Sequence, residues 1–443
     1  MRFSHATLRP PSASALIVSP RASASGLVIA ITLLAHQAGA QEATALRFGA
    51  LIDGHGAVTR DAVVIVKGDR VAQVGIGDAA VPVGAKVIDL RRYTAIPGMI
   101  DAHTHMSFVW DRTPGTRPWS QLGSLGPVVT AFLAQENALR TLETGVTTVR
   151  DLGSFDNIDL GMRDLINRGA MVGPRMFVAG NGLHMSGAPP KPGSVTPDPG
   201  LADGVDEVRK AARQQLGAGA DWIKMYGSTG SDQDVTGFQT YTLDEMRAAA
   251  DVAHKAGKRI AIHSYGPDGA RDAIRAGAES VEHATDMDDA TIAELASSRT
   301  WYVPTVDHNR YYAAHHDEYG YGQAVIDRLE DYTRRNAETL RRAVKAGVKI
   351  AMGSDAVFSG FGENTRELGW FVKAGMTPLQ ALATATTNGA ALLGREKDLG
   401  AIAPGFYADI VAVEGDPATD INAVINGVRW VMKGGTVVVD RRK

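Results

Sequence analysis

Short apolar runs alternate with longer amphipathic stretches through the middle of the chain. The runs are nearly continuous in apolar residues, as expected for strands that are buried on both faces of a parallel sheet. Several of the stretches between them end at glycine, the residue most often found just past a helix. The predicted strands lie at 95–105, 146–151, 175–180, 221–226, 259–263, 279–283, 301–306 and 348–355. This alternation of eight strands with helices predicts an α/β fold, a (β/α)₈ TIM-type barrel.

The two ends of the chain have a different pattern, in which short strands are separated by glycine turns. These strands are predicted at 45–51, 62–67, 70–75, 86–89, 408–413 and 430–439. Because the same pattern occurs at both ends, we expect one small β-sandwich domain formed by both termini, from 41–95 and 398–443. The barrel, at 96–397, would then be inserted between its halves.

The first part of the chain resembles a secretory leader. Arg2, Arg9 and Arg21 precede an apolar run at 26–35, and small residues follow at 38–40. This arrangement predicts a signal peptide at 1–40, and the apolar run is too short for a permanent membrane anchor. We therefore expect a periplasmic or secreted protein with no membrane attachment after cleavage. The chain has no cysteine, so it contains no disulfides.

Charge excludes one class of partner. The chain has 443 residues and a formal net charge of −3, without a basic run. A nucleic-acid-binding surface needs clustered Lys and Arg, so we expect no nucleic-acid partner.

Polar side chains lie at the C-terminal ends of five predicted barrel strands, where the active sites of barrel enzymes are found. His103 and His105 are two residues apart in an extended strand, so both point to one face. The other strand ends carry Lys224, His263, His283 and Asp355. Imidazole and carboxylate groups are suitable ligands for zinc and related divalent ions. The six positions together predict a metal site, with zinc as the default ion.

Lys224 is unusual in such a set, because two cations would repel an ammonium group. A lysine that has reacted with carbon dioxide carries a carbamate, which can bridge two metal ions about 3.5–4 Å apart. A water between such ions loses its proton near neutral pH and becomes a nucleophile. Asp355 can accept that proton and later deliver it to the leaving nitrogen.

Other polar residues are candidates for binding the substrate. His184, Tyr226 and His308 follow predicted strands, and each can polarise a scissile carbonyl or hold a substrate carboxylate. Asp101 and Glu282 precede ligands in their strands, so we expect them to point away and to be structural. Composition does not assign a role to the long connections at 107–127 and 183–200.

The chain resembles the amidohydrolase superfamily at the segment from Ile96 to His105, at Lys224, at His263 and His283, and at Gly353-Ser354-Asp355. The tail from Gly400 to Val411 resembles the terminal β domain of that superfamily. The resemblance implies that His103, His105 and Asp355 hold one metal, that His263 and His283 hold the second, and that carbamylated Lys224 bridges both. Within the superfamily, the chain is most similar to the metal-dependent dipeptidases and carboxypeptidases, a branch with prolidase-like and ochratoxin-hydrolysing members that tend to form homo-oligomers.

Three functions remain open from the sequence. The first is hydrolysis of an amide bond to a C-terminal amino acid, in a dipeptide, an N-acyl amino acid or an ochratoxin A-like conjugate. The second is ring opening of a cyclic amide, or deamination, although the deaminases of the superfamily usually lack the bridging lysine. The third is a binding protein that keeps the barrel but has no catalytic activity. Such a protein would be expected to have lost at least one of the six metal ligands.

Overall fold

The computed structural model describes residues 43–187, 199–230 and 234–442. The predicted signal peptide at 1–40 lies outside the described residues, and so do positions 188–198 of the connection at 183–200. Among the helices that are described, none combines the length and the apolar character needed to cross a bilayer.

Most predicted strands are present with small changes at their ends. The strand predicted at 86–89 instead continues to Pro97, the run at 430–439 forms two strands, and the eighth barrel strand is irregular. In the described parts of the chain the strands are β1 Thr44–Ile52, β2 Val58–Lys67, β3 Arg70–Ile76, β4 Lys86–Pro97, β5 Met99–Thr104, β6 Val146–Asp151, β7 Arg175–Val178, β8 Trp222–Tyr226, β9 Arg259–Ser264, β10 Ser280–His283, β11 Trp301–Val303, β12 Ile410–Val413, β13 Val428–Lys433 and β14 Thr436–Asp440.

Strands from both ends of the chain form one sheet of seven strands, in the order β14-β13-β12-β4-β1-β2-β3. Within it, β4 pairs in parallel with β1 and antiparallel with β12. Gly98 separates β4 from β5, and its amide donates a hydrogen bond of 2.7 Å to the carbonyl of Asp409. A side chain at Gly98 would collide with Thr147, so the direct passage from the terminal sheet into β5 requires glycine.

The middle of the chain forms two parallel sheets, β5-β6-β7 and β8-β9-β10-β11. Leu183, beyond β7, connects them: its amide donates to the carbonyl of Lys224 at 2.8 Å and its carbonyl accepts from Tyr226 at 2.9 Å. One buried cluster joins side chains of both sheets, including Ala102 and Ala261, with Ala351 from the segment at 348–355.

The predicted eighth strand, 348–355, is not a regular strand. It forms isolated parallel bridges at Ile350 with β11 and at Ala356 with β5. Between them, the amide of Met352 bonds to the carbonyl of Thr384 in a helix instead of to a strand, at 3.0 Å. The segment therefore changes partners along its length, which interrupts the ladder although the chain stays buried.

Helices follow most of the strands, and several end at glycine as the sequence predicts. Thr242 and Glu245 form a capping box, and Gly219 and Gly277 end helices with φ of 104° and 85°. Over the described residues the helices are α1 Pro118–Gln121, α2 Pro127–Glu143, α3 Ile158–Asn167, α4 Gly204–Ala218, α5 Leu243–Lys255, α6 Pro267–Ala276, α7 Asp289–Ser297, α8 Val306–Ala314, α9 His316–Tyr319, α10 Gln323–Lys345, α11 Glu367–Lys373, α12 Pro378–Thr384, α13 Thr387–Leu393 and α14 Asn422–Ile425.

Candidate functional site

Three of the predicted ligands form a buried cluster where β5 ends. Asp355 Oδ1 lies 3.5 Å from His103 Nε2 and 3.3 Å from His105 Nε2. The ligand atoms of the three side chains all lie within 4.8 Å of one another. Two imidazoles and one carboxylate at these separations are a donor set that suits a divalent metal ion.

The other two predicted histidines lie next to this cluster. The rings of His263 and His283 meet edge to face with centroids 4.5 Å apart. The ring of His283 is also 5.2 Å from that of His103. The structure therefore brings the histidines of β5, β9 and β10 together, although they are far apart in the sequence.

Lys224 points into the same space. Its side chain is 1% exposed, and its Nζ lies 3.4 Å from His103 Nε2. The Nζ is also 5.1 Å from the centre of the Tyr226 ring. All six predicted ligands thus converge on one buried region.

The outer nitrogens of three histidines have partners of their own. His103 Nδ1 lies 2.8 Å from Glu282 Oε2, His105 Nδ1 lies 3.0 Å from the carbonyl of Gly153, and His283 Nδ1 lies 2.6 Å from Thr305 Oγ1. When Nδ1 donates its proton outward, the lone pair of Nε2 is free to bind a metal. The histidines therefore fit a metal centre in orientation as well as in position.

Burial favours the neutral form of His103, His263 and His283, which is the form that binds metals. Burial, followed by the nearby Lys224, lowers the pKa of His103 to about 4 and that of His263 well below its usual value. Burial and the neighbouring His263 act in the same direction on the pKa of His283. For Asp355, burial alone would raise the pKa, but the surrounding imidazoles, led by His308, outweigh it and hold the pKa well below its usual range.

The candidate substrate residues lie at different depths. His308 Nε2 is 3.3 Å from Asp355 Oδ2, and its Nδ1 is 2.8 Å from the Asp355 carbonyl. The ring of Tyr226 lies 5.6 Å from that of His263. His184 is half-buried, with its Nδ1 3.1 Å from the carbonyl of Gly182.

The expectation that Glu282 points away from the ligands is wrong, because it contacts His103 directly. Alternation along a strand would place Glu282 and His283 on opposite faces. However, β10 ends at His283, which has φ of 68°, so regular alternation stops there. Asp101 has the expected structural role: it accepts hydrogen bonds from the Ser354 hydroxyl at 2.5 Å and from Asn364 at 2.9 Å.

Arg150, which the sequence analysis did not single out, is paired with Glu282 in the interior. Both side chains are 0% exposed, and Arg150 Nη2 lies 2.9 Å from Glu282 Oε1. Burial alone would raise the pKa of Glu282, but Arg150 and then His103 outweigh it and lower the pKa to about 2. The sequence did contain a signal for this pair. Arg150 and Glu282 are opposite charges within apolar predicted strands, and a buried charge needs a partner of opposite charge.

The connection at 107–127 supplies aromatic side chains beside the site. Phe108 stacks on His105 with ring centroids 4.7 Å apart. Trp119 meets Phe358 edge to face at 5.0 Å, and Tyr312 meets His308 in the same way at 4.6 Å. The connection therefore places one aromatic ring, Phe108, against His105, while the ring against His308 comes from Tyr312 of α8.

Glu367 fixes the helix that carries His308. Its carboxylate is fully buried and accepts hydrogen bonds from the amides of Val306 at 2.9 Å and Asp307 at 2.8 Å, at the start of α8. Burial raises the pKa of Glu367 from 4.5 to about 8.

We expect Glu367→Gln to flatten the pH dependence of stability between about pH 4.5 and 8. Because the folded state binds this proton more tightly, the stabilisation is complete below pH 4.5 and is lost as pH rises through about 8. Urea unfolding at several pH values measures the slope, with exposed Glu396→Gln as the control. An unchanged slope in Glu367→Gln would contradict the assignment.

Comparison with known proteins identifies the family of this chain. The model of the amidohydrolase family matches residues 94–438. Ochratoxinase from Aspergillus niger is 29% identical over 429 residues, covering 88% of this chain and 86% of that protein. Imidazolonepropionase from Streptomyces coelicolor is 29% identical over 389 residues, covering 81% of this chain and 86% of that protein. The crystal structure of a Xaa-Pro dipeptidase with bound methionine in the active site has 32% identity and a TM-score of 0.80, covering 89% of this chain and 99% of that one.

The region that matches the family contains every strand and loop that brings a ligand to the cluster. The buried His-His-Asp group agrees with the metal dependence of that family. The chain therefore belongs to the amidohydrolase family and is a metal-dependent hydrolase.

Proposed function

We propose that this enzyme is a binuclear amidohydrolase that cleaves an amide bond to a C-terminal amino acid, in a dipeptide, an N-acyl amino acid or an ochratoxin A-like conjugate. The convergence of six buried donor side chains from five parts of the barrel segment carries the proposal. In particular, Lys224 Nζ lies 3.4 Å from His103 Nε2, where a simple ammonium would oppose metal binding.

The ligands divide into two groups. His103, His105 and Asp355 would hold one ion, and His263 and His283 would hold the other. Lys224, carbamylated by carbon dioxide with release of a proton, would bridge them. Bound divalent ions, with zinc as the first choice, supply Lewis acidity that activates a water and polarises the amide carbonyl.

Asp355 is suited to handle the proton of the attacking water. Its Oδ1 faces His103 and His105, while its Oδ2 faces His308 Nε2 at 3.3 Å. Since His308 Nδ1 lies 2.8 Å from the Asp355 carbonyl and donates to it, Nε2 can share a proton that arrives on Oδ2. The pair can then return that proton to the leaving nitrogen. His283 completes the catalytic set as a metal ligand.

The names of the relatives support an amino acid as the leaving group. Relatives include an ochratoxinase and a Xaa-Pro dipeptidase with methionine in its active site. Tyr226 lies beside Lys224 and His263, where its hydroxyl can polarise the scissile carbonyl. His184 and His308 are the remaining candidates for holding the substrate carboxylate.

The same proposal includes the wider organisation of the protein. Parallel bridges from Ile350 to β11 and from Ala356 to β5 support closure of the middle segment into an eight-stranded barrel. The domains would be the barrel at 96–397 and a β-sandwich from 41–95 and 398–443. We also propose a homo-oligomer that is exported by the signal peptide at 1–40.

A substrate screen with metal removal tests the function. Purified enzyme loaded with Zn²⁺ is expected to release amino acid from at least one of three substrate sets: dipeptides, N-acyl amino acids and ochratoxin A. A chelator should abolish this release, and added Zn²⁺ should restore it, because the ions supply the activated water. Amino-acid analysis of the products is the measurement.

The screen also includes cyclic amides, because an imidazolonepropionase is among the relatives. Opening of a cyclic amide without release of any amino acid would overturn the proposed substrate class. Amino-acid release that persists after complete metal removal would overturn the proposed mechanism.

A further inference from the structure

A buried hydrogen-bond network lies directly behind His103. Glu282 bonds to His103 Nδ1 through Oε2, at 2.8 Å, and to Arg150 through Oε1, at 2.9 Å. Ser280 Oγ donates to Glu282 Oε1 and accepts from Arg150 Nη1 at 2.8 Å. The network therefore joins a metal-facing imidazole of β5 to side chains of β6 and β10.

Arg150 also contacts β5 directly. Its Nε donates to the carbonyl of Ala102 at 2.6 Å, one residue before His103. Its guanidinium group also lies 4.5 Å from the centre of the Trp222 ring, and this contact restricts the orientation of the guanidinium plane. The carboxylate of Glu282 consequently has a fixed position relative to both the backbone and the ring of His103.

His103 differs from its neighbours in the charge of its outer partner. His105 and His283 face a carbonyl and a hydroxyl, respectively, whereas His103 faces a carboxylate. A carboxylate fixes the ring orientation and the tautomer and makes the opposite nitrogen a stronger donor to a metal.

We propose that Glu282 is a positioning residue that sets the metal affinity of the centre through His103, and that Arg150 and Ser280 hold it in place. The proposal rests on the proposed function in one respect, the assignment of His103 as a metal ligand. Glu282 does not touch the substrate or the reacting atoms and acts only through the imidazole.

Glu282→Gln tests this role with little change in shape. The amide has one oxygen, so it must present its NH₂ group either to His103 Nδ1–H or to Arg150, and one hydrogen bond is lost. Competition with a chelator is expected to show Zn²⁺ bound about 10- to 100-fold more weakly than in the wild type. The visible spectrum of the Co²⁺-loaded variant should change as well, because the ligand geometry changes.

Glu279→Gln is the matched control. Glu279 lies just before β10 and pairs with His254 at 3.0 Å, but both side chains are partly exposed. The same substitution there should leave the Zn²⁺ affinity and the Co²⁺ spectrum unchanged. Circular dichroism and thermal unfolding confirm that each variant compared is folded.

Two further variants separate the possible failures. His103→Ala should lose Zn²⁺ regardless of Glu282, and wild-type affinity in that variant would contradict the proposed metal centre itself. If His103→Ala loses metal while Glu282→Gln binds it normally, the positioning role is wrong and the network is only structural. Glu282→Asp keeps the charge for Arg150 but withdraws the carboxylate from His103. The Glu282→Asp variant should therefore also bind Zn²⁺ more weakly than the wild type. If Glu282→Gln does not fold, Glu282→Asp takes its place in the test.

Discussion

Replacing Lys224 by alanine is expected to lower turnover by about a thousandfold or more and to reduce the amount of bound metal. The side chain is buried beside His103, and in the proposed centre its carbamate is the ligand common to both ions. Loss of Lewis acidity worth several kcal/mol corresponds to a change of this size. Steady-state kinetics and metal analysis of the same purified sample measure the two effects.

The lysine experiment has a control and a chemical test. Exposed Lys255→Ala, at the end of α5, should retain both activity and metal. A small carboxylate such as formate or acetate can enter the space left in Lys224→Ala and should restore part of the activity. Wild-type turnover in Lys224→Ala would remove the basis for a bridging carbamate.

Replacing Arg150 by methionine is expected to destabilise the folded protein by about 3–5 kcal/mol. The substitution fills much of the same volume but leaves the buried carboxylate of Glu282 without its cation. Hydrogen bonds to Ala102 and Ser280 are lost at the same time. Chemical denaturation of the metal-free protein measures the change separately from metal binding.

A second substitution distinguishes an isolated charge from simple loss of packing. Adding Glu282→Gln to Arg150→Met removes the unpaired charge and should recover part of the stability. By contrast, Arg140→Met breaks a partly exposed ion pair with Glu136 and should change stability little. If the double variant is less stable than Arg150→Met alone, the charge argument fails.

The parts of the fold that were predicted correctly are those where one local pattern decides the structure. Continuous apolar runs identified β5 to β11, because strands buried on both faces tolerate few polar residues. The segment at 348–355 has the same composition, yet its backbone bonds pass from β11 to a helix and then to β5. Such a change of partner depends on tertiary contacts, which the apolar pattern does not encode.

The candidate site was predictable for a related reason. Polar residues at strand ends meet at one end of parallel sheets, and this rule alone selected the six side chains that the structure brings together. The rule failed for Glu282, since it assumes regular alternation up to the end of β10, where His283 has φ of 68°. Arg150 was missed because it lies inside β6 and not at its end.

The placement of β4 in the terminal sheet has a consequence for the order in which the enzyme matures. During synthesis β4 can pair with β1 early, but its other neighbour, β12, emerges only after the whole barrel segment has been translated. Since β4 passes through Gly98 directly into β5, which carries His103, the nascent chain cannot pair β4 on both sides until residues 410–413 have been translated. A chain truncated before residue 410 would therefore lack the second partner of the strand that leads into β5, although it contains all six predicted ligands.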